Sequence, residues 1–110
     1  CSGDILKGSW LQLMLGNKAL ALEAAVRAAQ SAVRPLSRVA CVVVFDAASR
    51  RRLLGSTHAA KEIAAIREVI GASIPLAGCY TYGEQAPFEE TDLERTALHT
   101  GAILVIALCT

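Results

Sequence analysis

The apolar and polar positions of this chain fall into short segments, each with its own period. Over residues 10–15 the alternation is strict. Leu11, Leu13 and Leu15 share one face and Trp10, Gln12 and Met14 the other, which is the period of a strand. Gly16 and Asn17 close the segment, with Asn17 placed as a helix N-cap. From 18 to 33 the period becomes helical. Leu22, Val26, Ala29 and Val33 follow one stripe, and Glu23 pairs with Arg27 at i, i+4 on the wet side. The small residues Ala21, Ala24, Ala25 and Ala28 suit close packing against a sheet, and Arg34-Pro35 stops the helix.

Residues 39–45 are apolar without alternation, so both faces of that strand need cover and a central position is predicted. Residues 46–55 are polar and carry Arg50-Arg51-Arg52, which reads as a solvated loop or, less simply, a site for phosphate or an acidic partner. Ser56 or Thr57 caps a second helix from about 58 to 70, with Ile63, Ile66 and Ile70 as its buried stripe and Gly71 as its stop. A strand over 76–82, an acidic connection over 88–96 (Glu89, Glu90, Asp92, Glu94) and an uninterrupted apolar strand over 102–108 complete the chain. The order is β-α-β-α-β-β. Two crossovers are long enough for right-handed βαβ units. The last has no helical stripe, so 76–82 and 102–108 should run antiparallel as neighbours. The fold class is α/β in the mixed α+β sense: one mixed sheet of about four strands, both long apolar ones interior, with two helices packed on it.

Composition narrows the function classes. At 110 residues the chain makes one domain, 1–110, and a 54% apolar content supplies one modest core. A net charge of +1 gives no field to recruit nucleic acid. No apolar run approaches the ~20 residues a membrane helix needs. Cys41, Cys79 and Cys109 lack metal or redox spacing and read as buried core thiols in a reducing, cytoplasmic compartment. The start Cys1-Ser2-Gly3 is that of a mature lipoprotein or, more simply, of a segment inside a longer protein.

The chemistry-bearing residues gather near two strand ends. Tyr82-Gly83-Glu84-Gln85 ends the 76–82 strand. Gly83 permits a left-handed or close-approach conformation beside a ligand, Glu84 offers a carboxylate to an amine, and Tyr80 and Tyr82 offer flat walls with hydroxyl tips. The plainer alternative is a hairpin exit in which Glu84 caps backbone amides. His99 and Thr100 enter the last strand near that end, where His99 either bonds Glu84 or closes the loop through a backbone carbonyl. His58 reads as solvated. Cys79 with His99 is the arrangement an enzyme would use, and Cys79, His99 and Cys109 could be drawn into a metal site, although no spacing demands either.

Several runs resemble one known family. Pro75-Leu-Ala-Gly-Cys-Tyr-Thr-Tyr-Gly-Glu-Gln-Ala-Pro87, followed by His99-Thr-Gly-Ala-Ile-Leu-Val-Ile-Ala-Leu108, resembles the "iPlaGFYtyGEi.p" and "HNgtlvvlal" runs of the FIST C-terminal domain. Upstream, 8–14 is similar to its "pGs.lrlm", 40–45 to "alvFsC", 51–55 to "R.lllG" and 61–71 to "eEi.air.vlg". The chain departs from the pattern at Asp46-Ala47, where Ser-Cys is usual, at Cys79, where an aromatic is usual, and at Thr100, where Asn is usual. The resemblance implies the C-terminal part of a larger sensory protein of bacterial type. It would bind a small ligand such as an amino acid through Tyr80, Tyr82, Gly83, Glu84, His99 and Thr100, without catalysis, cofactor or metal. It also implies an open sheet edge covered by a missing N-terminal part or a partner chain. The alternatives are a protein-interaction scaffold, as in F-box proteins, and the Cys79/His99 enzyme.

Overall fold

A computed structural model describes residues 4–87 and 96–110. The acidic residues Glu89, Glu90, Asp92 and Glu94, together with Cys1, lie outside the described residues. The elements are α1 (Lys18–Val33), β1 (Val39–Ala47), α2 (Ala48–Ile70), β2 (Leu76–Thr81), β3 (Glu84–Pro87), β4 (Thr96–His99) and β5 (Ile103–Cys109). The α+β class stands, with two helices and a mixed sheet. That sheet has the order β2-β1-β5, with β2 parallel and β5 antiparallel to β1, and β3 and β4 form a separate antiparallel ribbon.

α1 begins and ends where its period predicts. Asn17 Oδ1 accepts from the amides of Ala19 (2.9 Å) and Leu20 (3.1 Å), two of the donors that a helix start leaves unpaired. Its buried stripe is Ala21, Ala25 and Ala29 rather than the larger Leu22 and Val26, because the methyl-sized face lets α1 lie close to α2 and over β5. β1 is the central strand, as its uninterrupted apolar run requires. Val42 and Val44 point toward the helices and join Ala25, Ala29, Ile66 and Ile70 in the main core.

Both helices therefore cover one face of the sheet. Cys41, Val43, Phe45, Leu104, Ile106 and Leu108 alternate onto the other face, where they are half-buried or exposed. This corrects the expectation that both long apolar strands are interior. Among the described residues β5 is an edge strand, and it pairs with β1 instead of neighbouring β2. It also corrects the reading of the cysteines: Cys79 and Cys109 are exposed and Cys41 is half-buried. Residues 10–15 form no strand. They run unpaired with Trp10, Leu13 and Leu15 almost wholly exposed.

α2 starts ten residues earlier than its stripe predicts, immediately after β1. Gly55, at φ 71° and ψ 175°, breaks it into two helical pieces, a backbone position suited to glycine. In the second piece Ile66 and Ile70 are buried as expected, but Ile63 is 40% exposed and Glu62 is wholly buried. Gly71, at φ 93°, ends the helix, its amide bonding Arg67 O.

Candidate functional site

β1 ends in Asp46, and the first turn of α2 brings Arg50 back over it. Arg50 Nε donates to Asp46 Oδ1 at 2.9 Å, while Nη2 donates to Ala21 O at 2.9 Å and to Glu62 Oε1. Glu62 reaches the cluster from beyond the Gly55 break, so one guanidinium ties together the strand end, α1 and both pieces of α2. The bend in α2 is what makes this convergence possible. All three side chains are buried. Asp46 Oδ2 and Glu62 Oε2 have no hydrogen-bond partner among the described residues. Fully ionised, the cluster holds two negative charges against one positive, in a place where unpaired charge is costly. Burial, followed by the Glu62 charge, lifts the Asp46 carboxyl to about 6 against the pull of Arg50.

Asp46 also forms part of the wall of a groove of about 320 Å³ between α2 and β2. Val44, Leu76 and Ile63 supply apolar surface, and Asp46, Arg67 and Tyr80 supply the polar groups. The register sets this arrangement. Val44 lies opposite Gly78 and Asp46 opposite Tyr80, so these residues share the helix-facing side. Gly78 leaves the floor bare, and a Cβ there would collide with the carbonyl oxygen of Val44. Arg67 Nη1 bonds Ile74 O. The Arg51 guanidinium lies 5.9 Å from the centre of the Tyr80 ring. Burial and the Asp46 charge push the Tyr80 phenol up, opposed by Arg51.

The ligand-binding residues singled out in the sequence lie at the same end of the sheet, whereas Cys109, opposite Val39, lies at the other. Glu84 and His99 are brought directly opposite one another in the β3–β4 ribbon. Glu84 is buried and accepts from Thr81 Oγ1, and its Oε2 has no hydrogen-bond partner among the described residues. A His99 ring nitrogen lies 3.2 Å from Ala86 O. Thr81 Oγ1 is also 3.4 Å from Asp46 O, so the ribbon adjoins the end of the groove. Tyr80 belongs to the groove itself. Tyr82 is 85% exposed. Thr100 contributes its carbonyl, which accepts from Ser49 Oγ at 2.8 Å. Of the two conformations anticipated for Gly83, it does not take the left-handed one. Its missing side chain instead gives room to Leu98 across the ribbon. Cys79 is exposed on β2. Among the described residues no group of three or more His, Cys, Asp or Glu is arranged to hold a metal ion, and no helix is long and apolar enough to cross a membrane.

Compared with known families, residues 1–87 match the family model described as the FIST C domain. The chain belongs to that family. FIST C domains are sensory domains of signal transduction, and the match takes in β1, α2, β2 and β3, and so every side chain named around the groove. No curated protein and no solved structure matches the chain significantly. In this FIST C domain the buried cluster is built at the place where the sequence departs from the usual Ser-Cys, at Asp46-Ala47. The sequence pattern does not mark Asp46, Glu62 or Arg67 as site residues, and it offers Arg50 only as part of a cationic run for phosphate or an acidic partner. One signal for them was present: a carboxylate that ends a fully apolar strand is buried with it, and the nearest cation that can neutralise it, Arg50, follows four residues later.

Proposed function

We propose that this FIST C domain senses a small ligand of amino-acid type in the groove between α2 and β2. The observation that carries this reading is the pairing of a buried carboxylate, Asp46, with a guanidinium, Arg67, around one apolar groove. A ligand ammonium would face Asp46, its carboxylate would face Arg67, and its apolar side chain would lie against Leu76, Ile63 and the Tyr80 ring. The carboxyl ends of strands in an open α/β sheet are where ligands commonly bind. The ribbon residues Tyr82, Gly83, Glu84, His99 and Thr100 form the adjoining wall in this reading. They are linked to β1 through Thr81, so a change in the charge of Asp46 has a route to the ribbon and to an output module beyond it. The domain acts here by binding rather than by catalysis, in the cytoplasm.

Titration calorimetry of the folded protein against a panel of amino acids and simple amines tests the site. A bound amino acid should be held about 10- to 100-fold more weakly by Asp46→Asn and by Arg67→Gln, the range for hydrogen bonds to charged groups. Glu84→Gln locates the ammonium: loss with this variant alone would move the subsite to the ribbon. No binding by the folded parent, or equal binding by all three variants, refutes the reading. A second reading, a protein-interaction scaffold, is favoured by the apolar face of the sheet that the helices leave open at Phe45, Ile106 and Leu108.

A further inference from the structure

We infer that residues 10–15, which run unpaired in this structure, are a strap that docks antiparallel to β5 on its open edge and adds a fourth strand to the main sheet within the same chain. Four observations lead there, none of which depends on the proposed ligand.

The segment has strict strand alternation, yet its large apolar side chains lie in solvent: Trp10 is 100% exposed, Leu13 99% and Leu15 97%. Burying Leu11, Leu13 and Leu15 removes apolar surface from water and is favourable. An edge that accepts them is therefore favoured over solvent.

β5 offers a matching edge. Ala47 N donates to Ala102 O at 3.0 Å, and alternation along the antiparallel ladder then turns the amides of Leu104 and Ile106 toward β1. Those of Ile103, Val105 and Ala107 face outward, where the sheet has no further strand among the described residues.

Topology selects this edge over that of β2. Both helices lie on the same face of the sheet, and crossovers between parallel strands are right-handed almost without exception. With the helices on one face and the hand fixed, a strand before α1 and the strand after α2 must fall on opposite sides of β1. β2 occupies one side. The 10–15 segment is therefore sent to the β5 side, parallel to β1 and antiparallel to β5. α1 already lies over β5, as the helix of such a crossover must.

Finally, the connection fits. Only Gly16 and Asn17 separate the segment from α1, an ordinary length for a strand-to-helix loop. Leu53 packs against Gly16, which makes that glycine the pivot. Leu11, Leu13 and Leu15 would then pass beneath α1, beside Ile103, Val105 and Ala107.

Residue-resolved amide exchange on the whole 110-residue chain, with sedimentation at the same concentrations, tests this. Ile103, Val105 and Ala107 amides should exchange on the order of 100-fold more slowly than unstructured amides. Leu13→Asp, which would place a charge beneath α1 and so undock the strand, should return Val105 to fast exchange while Leu104 stays protected. Cross-strand contacts between Leu13 and β5 in nuclear Overhauser spectra give the same information without substitution. Fast exchange at all three outward amides of the folded parent overturns the inference. So does protection that appears only as the protein dimerises, which would mean that the strand comes from a second copy.

Discussion

Asp46→Asn tests whether the cluster at the end of β1 carries more negative charge than it can comfortably hold. Burial and the neighbouring Glu62 raise the Asp46 carboxyl from 3.8 to about 6. Below 3.8 the folded and unfolded chains both hold this proton, and its contribution to stability is at its most favourable. Between 3.8 and 6 the unfolded chain has released it and the folded chain has not, so stability falls as pH rises through that window and remains lower above it. A rise of this size corresponds to roughly 3 kcal/mol, or about 2 kcal/mol once water reaching the cluster is allowed for. Asparagine keeps the shape and cannot titrate. The stability of Asp46→Asn minus that of the parent should therefore increase by about 2–3 kcal/mol between pH 4 and pH 7.5, while the titration of distant groups cancels in the difference. Urea unfolding at four or five pH values measures it. With a slope near 1 kcal/mol per molar for a small protein, the midpoints should move apart by about 2 M. A difference that stays constant across this range, or that shrinks, refutes the charge assignment.

Two further substitutions probe the same end of the sheet. Arg50→Met leaves Asp46 and Glu62 buried without a counter-charge and should cost about 3–5 kcal/mol at neutral pH; a thermal midpoint within a degree or two of the parent would contradict the cluster's role. Gly78→Ala places a methyl group against the Val44 carbonyl oxygen, so β2 must shift away from β1 at a cost of about 1–3 kcal/mol; parent-like denaturant stability would show that the strands are not packed this closely.

Elements were legible in the sequence where a local pattern alone decides structure. α1 was readable because a cap, a stripe and a proline agree, and β1 because seven apolar residues in a row leave no other option. The pattern of 10–15 is equally clear, but a strand needs a neighbour as well as a period, and no alternation specifies which edge receives it. β5 was misplaced for a related reason: a continuous apolar run shows that both faces are apolar, not that a strand lies on either side. The start of α2 was missed because Arg50-Arg51-Arg52 suggests solvent, whereas Arg50 is drawn inward by carboxylates placed before and after it in the chain. Within the candidate site, the pairing of Glu84 with His99 followed from strand ends meeting. The groove did not, since it depends on the absence of a side chain at Gly78 and on Arg67, a residue that in sequence is only a charge on a helix.

The alanine stripe of α1 bears on how this protein responds to temperature. Ala21, Ala25, Ala29, Ala47 and Ala59 make up half of the buried apolar residues among those described, and each exposes little hydrocarbon when the chain unfolds. The heat-capacity change of unfolding scales with the apolar area exposed, so it should fall at the low end for a protein of this length. The free energy of unfolding then follows a shallow arc, and warming or cooling by tens of degrees alters the folded population less than it would for a core built of leucine and phenylalanine.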